Sequence, residues 1–382
     1  MKKQSIVGLF LVIFIGFAAY YFLSDQSVTN FESKIVKIGV ILPLTGEAAS
    51  YGVKIKAGID FAFKNSSENV RKKIEVIYED SQGKDIAAIN SYNKLVNLDK
   101  ARIFIGPFNS SAVLALTNNV AKDNSFLMLP TATSPKITAA GNNIFRIISS
   151  DIYDSKVLSE FITEEKKQTK ISVVYLNNEY GVGFVNAFKS SLKKKSLILV
   201  GEYAIGDQLK NYKSIIKKII ASDAEAIVVI GINEVGYFLK QSKEMGLTKQ
   251  FYSTGMIENP EVVRIAGDAS NNVIYTYPSF DLKRKRQSVL NFVVNFTQQN
   301  NVQPSILEAL GYDSFVLLGE AISEKKYTPS EIRQYLLDLN DYEGVTGQLT
   351  FDKNGDVLKP IGIKEIIDQE FTWLNASYKI KG

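Results

Sequence analysis

From Lys34 onward the chain alternates short β-rich apolar runs with segments whose apolar residues recur at helical spacing. "KIVKIGVILPL" is followed by helical spacing from Ala48 to about Asn65. "KIEVIYED" leads to a helical pattern from Asp85 to about Leu98, and "ARIFIGP" to one from Asn109 to about Lys122. "SFLMLP" is a fourth apolar run. A strand followed by a helix and then another strand closes a parallel sheet, because parallel neighbours need a crossover. Runs this apolar also require cover on both faces. After "NNIFRIISSD" the rhythm restarts with "KISVVYL", a helix from about Tyr180 to Lys194, and the runs "SLILVGEYAI", "AEAIVVIGI" and "KQFYSTGM". Helical spacing at 284–298, 305–323 and 329–338 follows both halves. A single core rarely grows beyond ~250–300 residues. A chain of 382 residues, 45% hydrophobic, therefore has material for two.

The two halves echo each other once. "IGVILPL" leads to Tyr51-Gly52-Val53 and "ISVVYL" leads to Tyr180-Gly181-Val182. In open α/β sheets ligands bind beyond the carboxyl ends of strands. Both tyrosines fall at such ends, one from each half.

Two turns within the first half carry hydroxyls at a strand end. "IFIGPFNSSAVLAL" places Asn109, Ser110 and Ser111 where an apolar run hands over to a helix. "MLPTATSPKIT" places Thr131, Thr133 and Ser134 ahead of Pro135, which suits a first helical position. The first N–H groups of a helix lack intrahelical partners and the helix dipole is positive there. Such a turn caps its own helix or holds an anion. Side by side, the two turns form a nest of donors fitted to a carboxylate. No GxxxxGK[ST] phosphate loop and no clustered lysines accompany them.

The chain has no cysteine and no histidine. That excludes thiol nucleophiles, Ser-His and Cys-His dyads, the usual zinc sites and a lipid-modified cysteine. No Ser-Lys or paired-carboxylate spacing suggests a hydrolase, so no catalytic residue and no cofactor are expected. Net charge is +5 without a basic face interleaved with aromatics, so nucleic acid is not an expected partner. The run from Lys283 to Arg286 reads as a solvated helix start. Lys2 and Lys3 precede the uncharged apolar stretch 6–23, which reads as a signal peptide or a membrane anchor. Either reading places the remainder outside the cytoplasm, with the polar linker "SDQSVTNFES" after it.

"KIGVILPLTGEAASYGVKIKAGIDFA", "IFIGPFNSSAVLAL" and "LPTATSPKIT", in this order, resemble the leucine/isoleucine/valine-binding proteins, the type I periplasmic binding proteins of branched-chain amino-acid ABC transporters. "YLNNEYGVGFVNAFKSSL", "FLKQSKEMGL", "ALGYDSFVLLGEAI" and "GVTGQLTFDKNGD" extend the likeness over roughly residues 35–370. The resemblance implies an α/β fold of two Rossmann-like lobes with mainly parallel sheets, joined by a three-crossover hinge. Residues 35–150 with about 280–356 would form lobe 1, and 151–279 with about 357–382 lobe 2, after a leader and linker over 1–33. It implies that Ser110 and Thr133 hold a ligand carboxylate, with backbone help near Thr131 and with Asn109 alongside. Tyr51 and Tyr180 would face the ligand, Tyr180 closing over it from lobe 2. The implied partners are a small-molecule ligand and an ABC permease, and the implied state is monomeric.

The sequence departs from the family at one point. The acid that takes a ligand ammonium after the "KTQFMGPEG"-like strand is replaced, in "KQFYSTGMIEN", by about Gly255. Glu258 stands three residues later, and Asn233 and Glu234 sit in a shortened loop as substitutes. The ligand is thus an amino acid, or an acid or amide lacking the amine. A second reading keeps the lobes but makes them a membrane-anchored sensing domain that signals to a partner protein.

Overall fold

The structure, a computed structural model, describes residues 35–192, 197–206, 209–280 and 286–380. The chain begins with β1 (Val36–Leu42), α1 (Ala49–Asn65), α2 (Glu68–Lys73), β2 (Ile74–Asp80), α3 (Asp85–Asn97), β3 (Ile103–Ile105), α4 (Ser110–Lys122), β4 (Phe126–Leu129), a 3-10 turn over Pro135–Ala139, and β5 (Ile144–Arg146). These five strands form one all-parallel sheet in the order β2-β1-β3-β4-β5. The three residues of β3 and the four of β4 are all buried, as strands covered on both faces must be.

The second half runs α5 (Asp151–Glu160), β6 (Lys170–Leu176), α6 (Glu179–Leu192), β7 (Ile198–Ile205), α7 (Lys213–Ile220), β8 (Ala226–Ile230), α8 (Asn233–Glu244), β9 (Gln250–Ser253), α9 (Pro260–Ala266) and β10 (Ile274–Pro278). The chain then adds α10 (Gln287–Asn300), α11 (Ile306–Ser323), α12 (Pro329–Asp338), the short hairpin of β11 (Tyr342–Gly344) and β12 (Gly347–Leu349), and the strands β13 (Ile361–Ile367) and β14 (Glu370–Asn375). The second sheet has the order β14-β13-β10-β9-β8-β6-β7. Its core is parallel, while β13 pairs antiparallel with β10 and β14 antiparallel with β13. This is the type I periplasmic binding protein architecture of two α/β lobes.

Each sheet reverses its strand order once, between β1 and β3 and between β6 and β8. Crevices open at the carboxyl ends of strands at such points. The sequence echo fixes the helix that follows each first strand. A Cβ at Gly52 would lie 2.0 Å from the Pro43 carbonyl oxygen, and one at Gly181 would lie 2.1 Å from the Leu176 carbonyl oxygen. Only glycine lets either helix start that close to its strand, and this sets Tyr51 and Tyr180 at the two rims.

Ser149 Oγ accepts from the Lys359 amide at 2.7 Å, and the Ser279 amide donates to the Pro360 carbonyl at 2.9 Å, so the segments at 149, 279 and 359–360 are tied together. Lys283, Arg284 and Lys285 of the basic run lie outside the described residues, as does the 1–33 leader.

The expected membrane anchor is corrected here. Among the described residues no helix is long and apolar enough to cross a membrane, and the 6–23 stretch on which that expectation rested lies outside them.

Candidate functional site

The two switch points face each other across a cleft that encloses a cavity of about 120 Å³. The lobes meet around it. Tyr51 Oη donates to the Met256 carbonyl at 2.7 Å, Asn259 Nδ2 to Ser50 Oγ at 3.1 Å, and Asn233 Nδ2 to the Glu47 carbonyl at 3.4 Å. On the other side the Glu179 amide donates to Ser111 Oγ at 3.3 Å, and Lys136 pairs with Glu179 at 2.9 Å.

The amino end of α4 forms one wall. Asn109 stands at its N-cap with extended backbone, yet its side chain makes no cap hydrogen bond. Its amide instead donates to the Gly83 carbonyl at 2.8 Å and to Asp85 Oδ1 at 3.0 Å, fastening the loop from behind. The first bond within the helix runs from the Val113 amide to the Asn109 carbonyl. The Ser110, Ser111 and Ala112 amides precede it and stay available at the positive end of the helix. Ser110 Oγ accepts from the Ser134 amide at 3.3 Å, which links the two hydroxyl-bearing turns and leaves the Ser110 proton to donate. Ser110, Ser111, Thr131 and Thr133 all line the cavity.

The threonines are more committed than their positions suggest. Thr131 Oγ1 donates to the Phe108 carbonyl at 3.2 Å, and Thr133 Oγ1 donates to Asp151 Oδ2 at 3.0 Å. A hydroxyl has one proton, so a ligand carboxylate must compete with Asp151 for the one on Thr133. The turn itself is held by Arg146, a fully buried residue of β5. Its Nη1 donates to the Thr133 and Ser134 carbonyls at 3.2 and 3.0 Å. Nη2 donates to Thr138 Oγ1 at 2.6 Å, and Nε and Nη2 form a two-pronged pair with Asp356 at 2.6 and 2.7 Å. All five guanidinium protons are used.

Tyr180 lines the cavity from the second lobe, its hydroxyl 2.6 Å from Thr254 Oγ1. Burial pushes its phenol far above the ordinary value, with the charge of Asp151 adding to this. Tyr51 is placed differently from the expectation. It is not a lining residue; it packs on Phe108 with ring centroids 5.7 Å apart and spends its hydroxyl on Met256 across the cleft. Glu234 is also outside the lining. Its carboxylate accepts from the Ile232 amide at 3.1 Å beside the start of α8. Glu258 is engaged by Lys364 at 2.6 Å and by Tyr275 Oη at 2.9 Å. Gly255 does line the cavity, and the Tyr277 ring occupies the space a side chain there would need, 2.9 Å from an added Cβ.

Two acids missed in the sequence sit in the cavity instead, Asp151 and Asp154, one turn apart at the start of α5. Helix α5 shows no apolar stripe because polar and apolar residues alike are buried around it, so periodicity does not reveal it. The available signal was local: Ser150 as N-cap, accepting from the Ile152 amide at 3.4 Å, with acids in the first turn. Burial raises Asp151 well above the usual carboxylate range, and the neighbouring Asp154 charge adds to it. Burial likewise pushes Asp154 up to about 6, opposed by the Thr276 hydroxyl. Apolar lining comes from Ile148, Met256, Pro278, Ile306, Leu307 and Leu310.

Comparison with known proteins bears on the family and the fold. A family described as "Periplasmic binding protein" matches residues 35–365. The leucine-, isoleucine-, valine-, threonine- and alanine-binding protein of Pseudomonas aeruginosa is 28% identical over 368 residues, covering 94% of this chain and 95% of that protein. A crystal structure of the branched-chain amino acid transporter substrate binding protein of Streptococcus pneumoniae, in complex with isoleucine, superposes with a TM-score of 0.80 at 25% identity, covering 88% and 98% of the two chains. A Rhodopseudomonas palustris solute binding protein in complex with 3,4-dihydroxy benzoic acid shares the fold, with a TM-score of 0.78 at 20% identity over 91% of this chain and 99% of that one.

Proposed function

Because the chain belongs to the periplasmic binding protein family, and within it to the leucine/isoleucine/valine-binding branch, we propose that it captures a small apolar amino acid between its lobes and delivers it to an ABC permease. Binding proteins of this family work outside the cytoplasm, make and break no bonds, and act through closure of the cleft.

One observation carries the ligand class: an uncapped helix start shares one small interlobe cavity with a set of apolar side chains. The Ser110, Ser111 and Ala112 amides and the Ser110 hydroxyl supply donors for a carboxylate. A charge-assisted hydrogen bond contributes roughly 1.5–3 kcal/mol, so two or three suffice to hold such a group. Ile306, Leu307 and Leu310 give an aliphatic side chain apolar surface to cover. Within this reading Thr131 and Thr133 shape the carboxylate end, Tyr180 closes over the ligand, and Tyr51 latches the lobes. Residues 35–150 with about 280–356 move against 151–279 with about 357–382, and the protein acts as a monomer. Support for that division comes from the two separate sheets and from the hydrogen-bonded segments at 149, 279 and 359–360.

Isothermal titration with leucine, isoleucine, valine, threonine and alanine tests the proposal. Saturable binding of at least one is expected. Absence of heat and of thermal stabilisation with all five would overturn the amino-acid assignment.

A further inference from the structure

We propose that Tyr277 limits the size of the side chain the cleft accepts, and that Glu258 and Lys364 are positioning residues that hold its ring in place. This rests on the binding-protein reading and names the residues that set size selectivity within it.

The second sheet brings these residues together. Tyr275 and Tyr277 stand two apart on β10, so they share one face. Lys364 on β13 is opposite Tyr275, Gly362 is opposite Tyr277, and Trp373 on β14 is opposite Lys364. Gly362 makes room for the Trp373 ring, which a Cβ at 362 would strike. The Lys364 ammonium lies 4.5 Å from the Tyr277 ring centroid, 5.0 Å from that of Trp373 and 5.8 Å from that of Phe371. A cation over aromatic faces is attracted to them. Tyr277 meets Trp373 edge-on with centroids 5.8 Å apart. Glu258 completes the cluster, pairing with Lys364 at 2.6 Å and accepting from Tyr275 Oη at 2.9 Å.

A buried ion pair is often no more stable than an apolar replacement, so this one is read by what it holds. Tyr277 lines the cavity, whereas Glu258, Lys364 and Trp373 are not among its lining residues. One edge of the Tyr277 ring stands 2.9 Å from where a Cβ on Gly255 would lie. At the other end, the groups acting on its hydroxyl are the Glu258 carboxylate and the backbone of Ile306. Gly255 and Ile306 both line the cavity. Ile306 opens α11, which packs against α1 of the first lobe. The ring therefore extends between the Gly255 turn and the start of α11, with the Lys364 cluster behind it. A phenol ring is rigid, and packed interiors yield little to added volume. The same arrangement accounts for glycine at 255, whose side-chain space the ring fills, and for Glu258, which serves Lys364.

The test titrates L-alanine, L-valine, L-leucine and L-phenylalanine into the whole protein by calorimetry, with circular dichroism to confirm the fold of each variant. Wild type is expected to bind at least one of the aliphatic amino acids and to take phenylalanine about 10-fold or more weakly than the best of them. Tyr277→Ala removes the wall, and Tyr277→Leu serves should the smaller residue fail to fold. In either, the ratio of phenylalanine affinity to that of the best aliphatic ligand should rise about 10- to 200-fold. Glu258→Gln combined with Lys364→Met removes the clamp, keeps the ring and leaves no lone buried charge; the ratio should rise here too, by a smaller factor. General damage to the fold would weaken all ligands alike and leave the ratio where it was. Phenylalanine bound by wild type as tightly as the best aliphatic ligand, or a ratio that moves less than about twofold in the Tyr277 variants, overturns the size limit while leaving a binding protein. A ratio that moves with Tyr277 but not with the double variant overturns the positioning role of Glu258 and Lys364. Binding of none of the four to wild type or to the Tyr277 variants overturns the amino-acid reading, and this inference with it.

Discussion

Replacing Arg146 is the most informative perturbation of the scaffold behind the site. Its guanidinium is fully buried and makes five hydrogen bonds, two of them to Asp356 from the far side of the hinge sequence and two to carbonyls of the 131–134 turn. Arg146→Met would leave Asp356 without its cationic partner, with the Thr138 hydroxyl still donating to it, and would take one donor each from the Thr133 and Ser134 carbonyls, which keep the Asp151 and Ile137 amides. Removing one member of a buried pair costs about 3–5 kcal/mol. The Asp356 side chain keeps 17% exposure, so water relieves part of the loss and the lower end, about 3 kcal/mol, is expected. Arg146→Lys keeps the charge but has no planar fork, and an intermediate loss of about 1–3 kcal/mol should result. Equilibrium urea unfolding reads both values. A ligand titration should show weaker binding for Arg146→Lys, because the turn bearing Thr133 is no longer clamped. The decisive control is Arg146→Met with Asp356→Leu. An apolar replacement of both partners is often near neutral, so the double variant should recover at least half of the single variant's loss. A single-variant cost under 1 kcal/mol, or a double variant no better than the sum of its parts, would refute the reasoning.

Three further outcomes follow from particular contacts. Tyr51→Phe removes the hydrogen bond to the Met256 carbonyl across the cleft; at about 0.5–1.5 kcal/mol ligand affinity should fall roughly 2- to 12-fold with little change in apo stability, and an unchanged Kd would rule out the latch. Ser110→Ala should weaken L-leucine binding about 10- to 150-fold by titration, whereas a loss confined to thermal stability would mean the hydroxyl only braces the Ser134 amide. Asp154→Asn should make the apo protein more stable at neutral pH. An acid raised from its ordinary 3.8 to about 6 contributes fully below pH 3.8, and that contribution is lost as pH rises through 6. The variant should therefore match wild type near pH 4 and exceed it at pH 7 by up to ~3 kcal/mol, and urea titrations at the two pH values would expose equal stabilities if the carboxylate is not strained.

Much of this fold could be read from the chain because its strands announce themselves. Apolar runs such as "VKIGVIL" and "AIVVI" are buried along nearly all their length, and the helices between them carry caps or apolar stripes. The expected helix 305–323 appears at Ile306–Ser323 with a full capping box at Ser305 and Glu308. What escaped was buried on all sides or paired at long range. Helix α5 has no stripe, and β13 joins the second sheet by antiparallel pairing with β10, a strand some 85 residues earlier, which no local pattern encodes. The site divides in the same way. The serines of "NSS" were legible because a strand end followed by a helix start is a local signal. That Asn109 turns its back on its own helix, and that Thr133 serves Asp151, depend on residues brought in from elsewhere in the sequence.

The distribution of unmet hydrogen-bonding capacity explains why closure and recognition are one event. Lobe 1 contributes open donors at the start of α4, and the first turn of α5 contributes an open acceptor. No hydrogen bond joins Asp154 to the α4 amides, although both border the same cavity. On the proposed reading, the ligand carboxylate meets the α4 amides while its side chain covers Ile306, Leu307 and Leu310. The interlobe contacts at Tyr51, Ser50 and Ser111 are neutral and individually weak, worth about 0.5–1.5 kcal/mol each. Together with the Lys136–Glu179 ion pair at 2.9 Å they join the two lobes around the cavity, and on the proposed reading the bound ligand adds its own contacts to theirs.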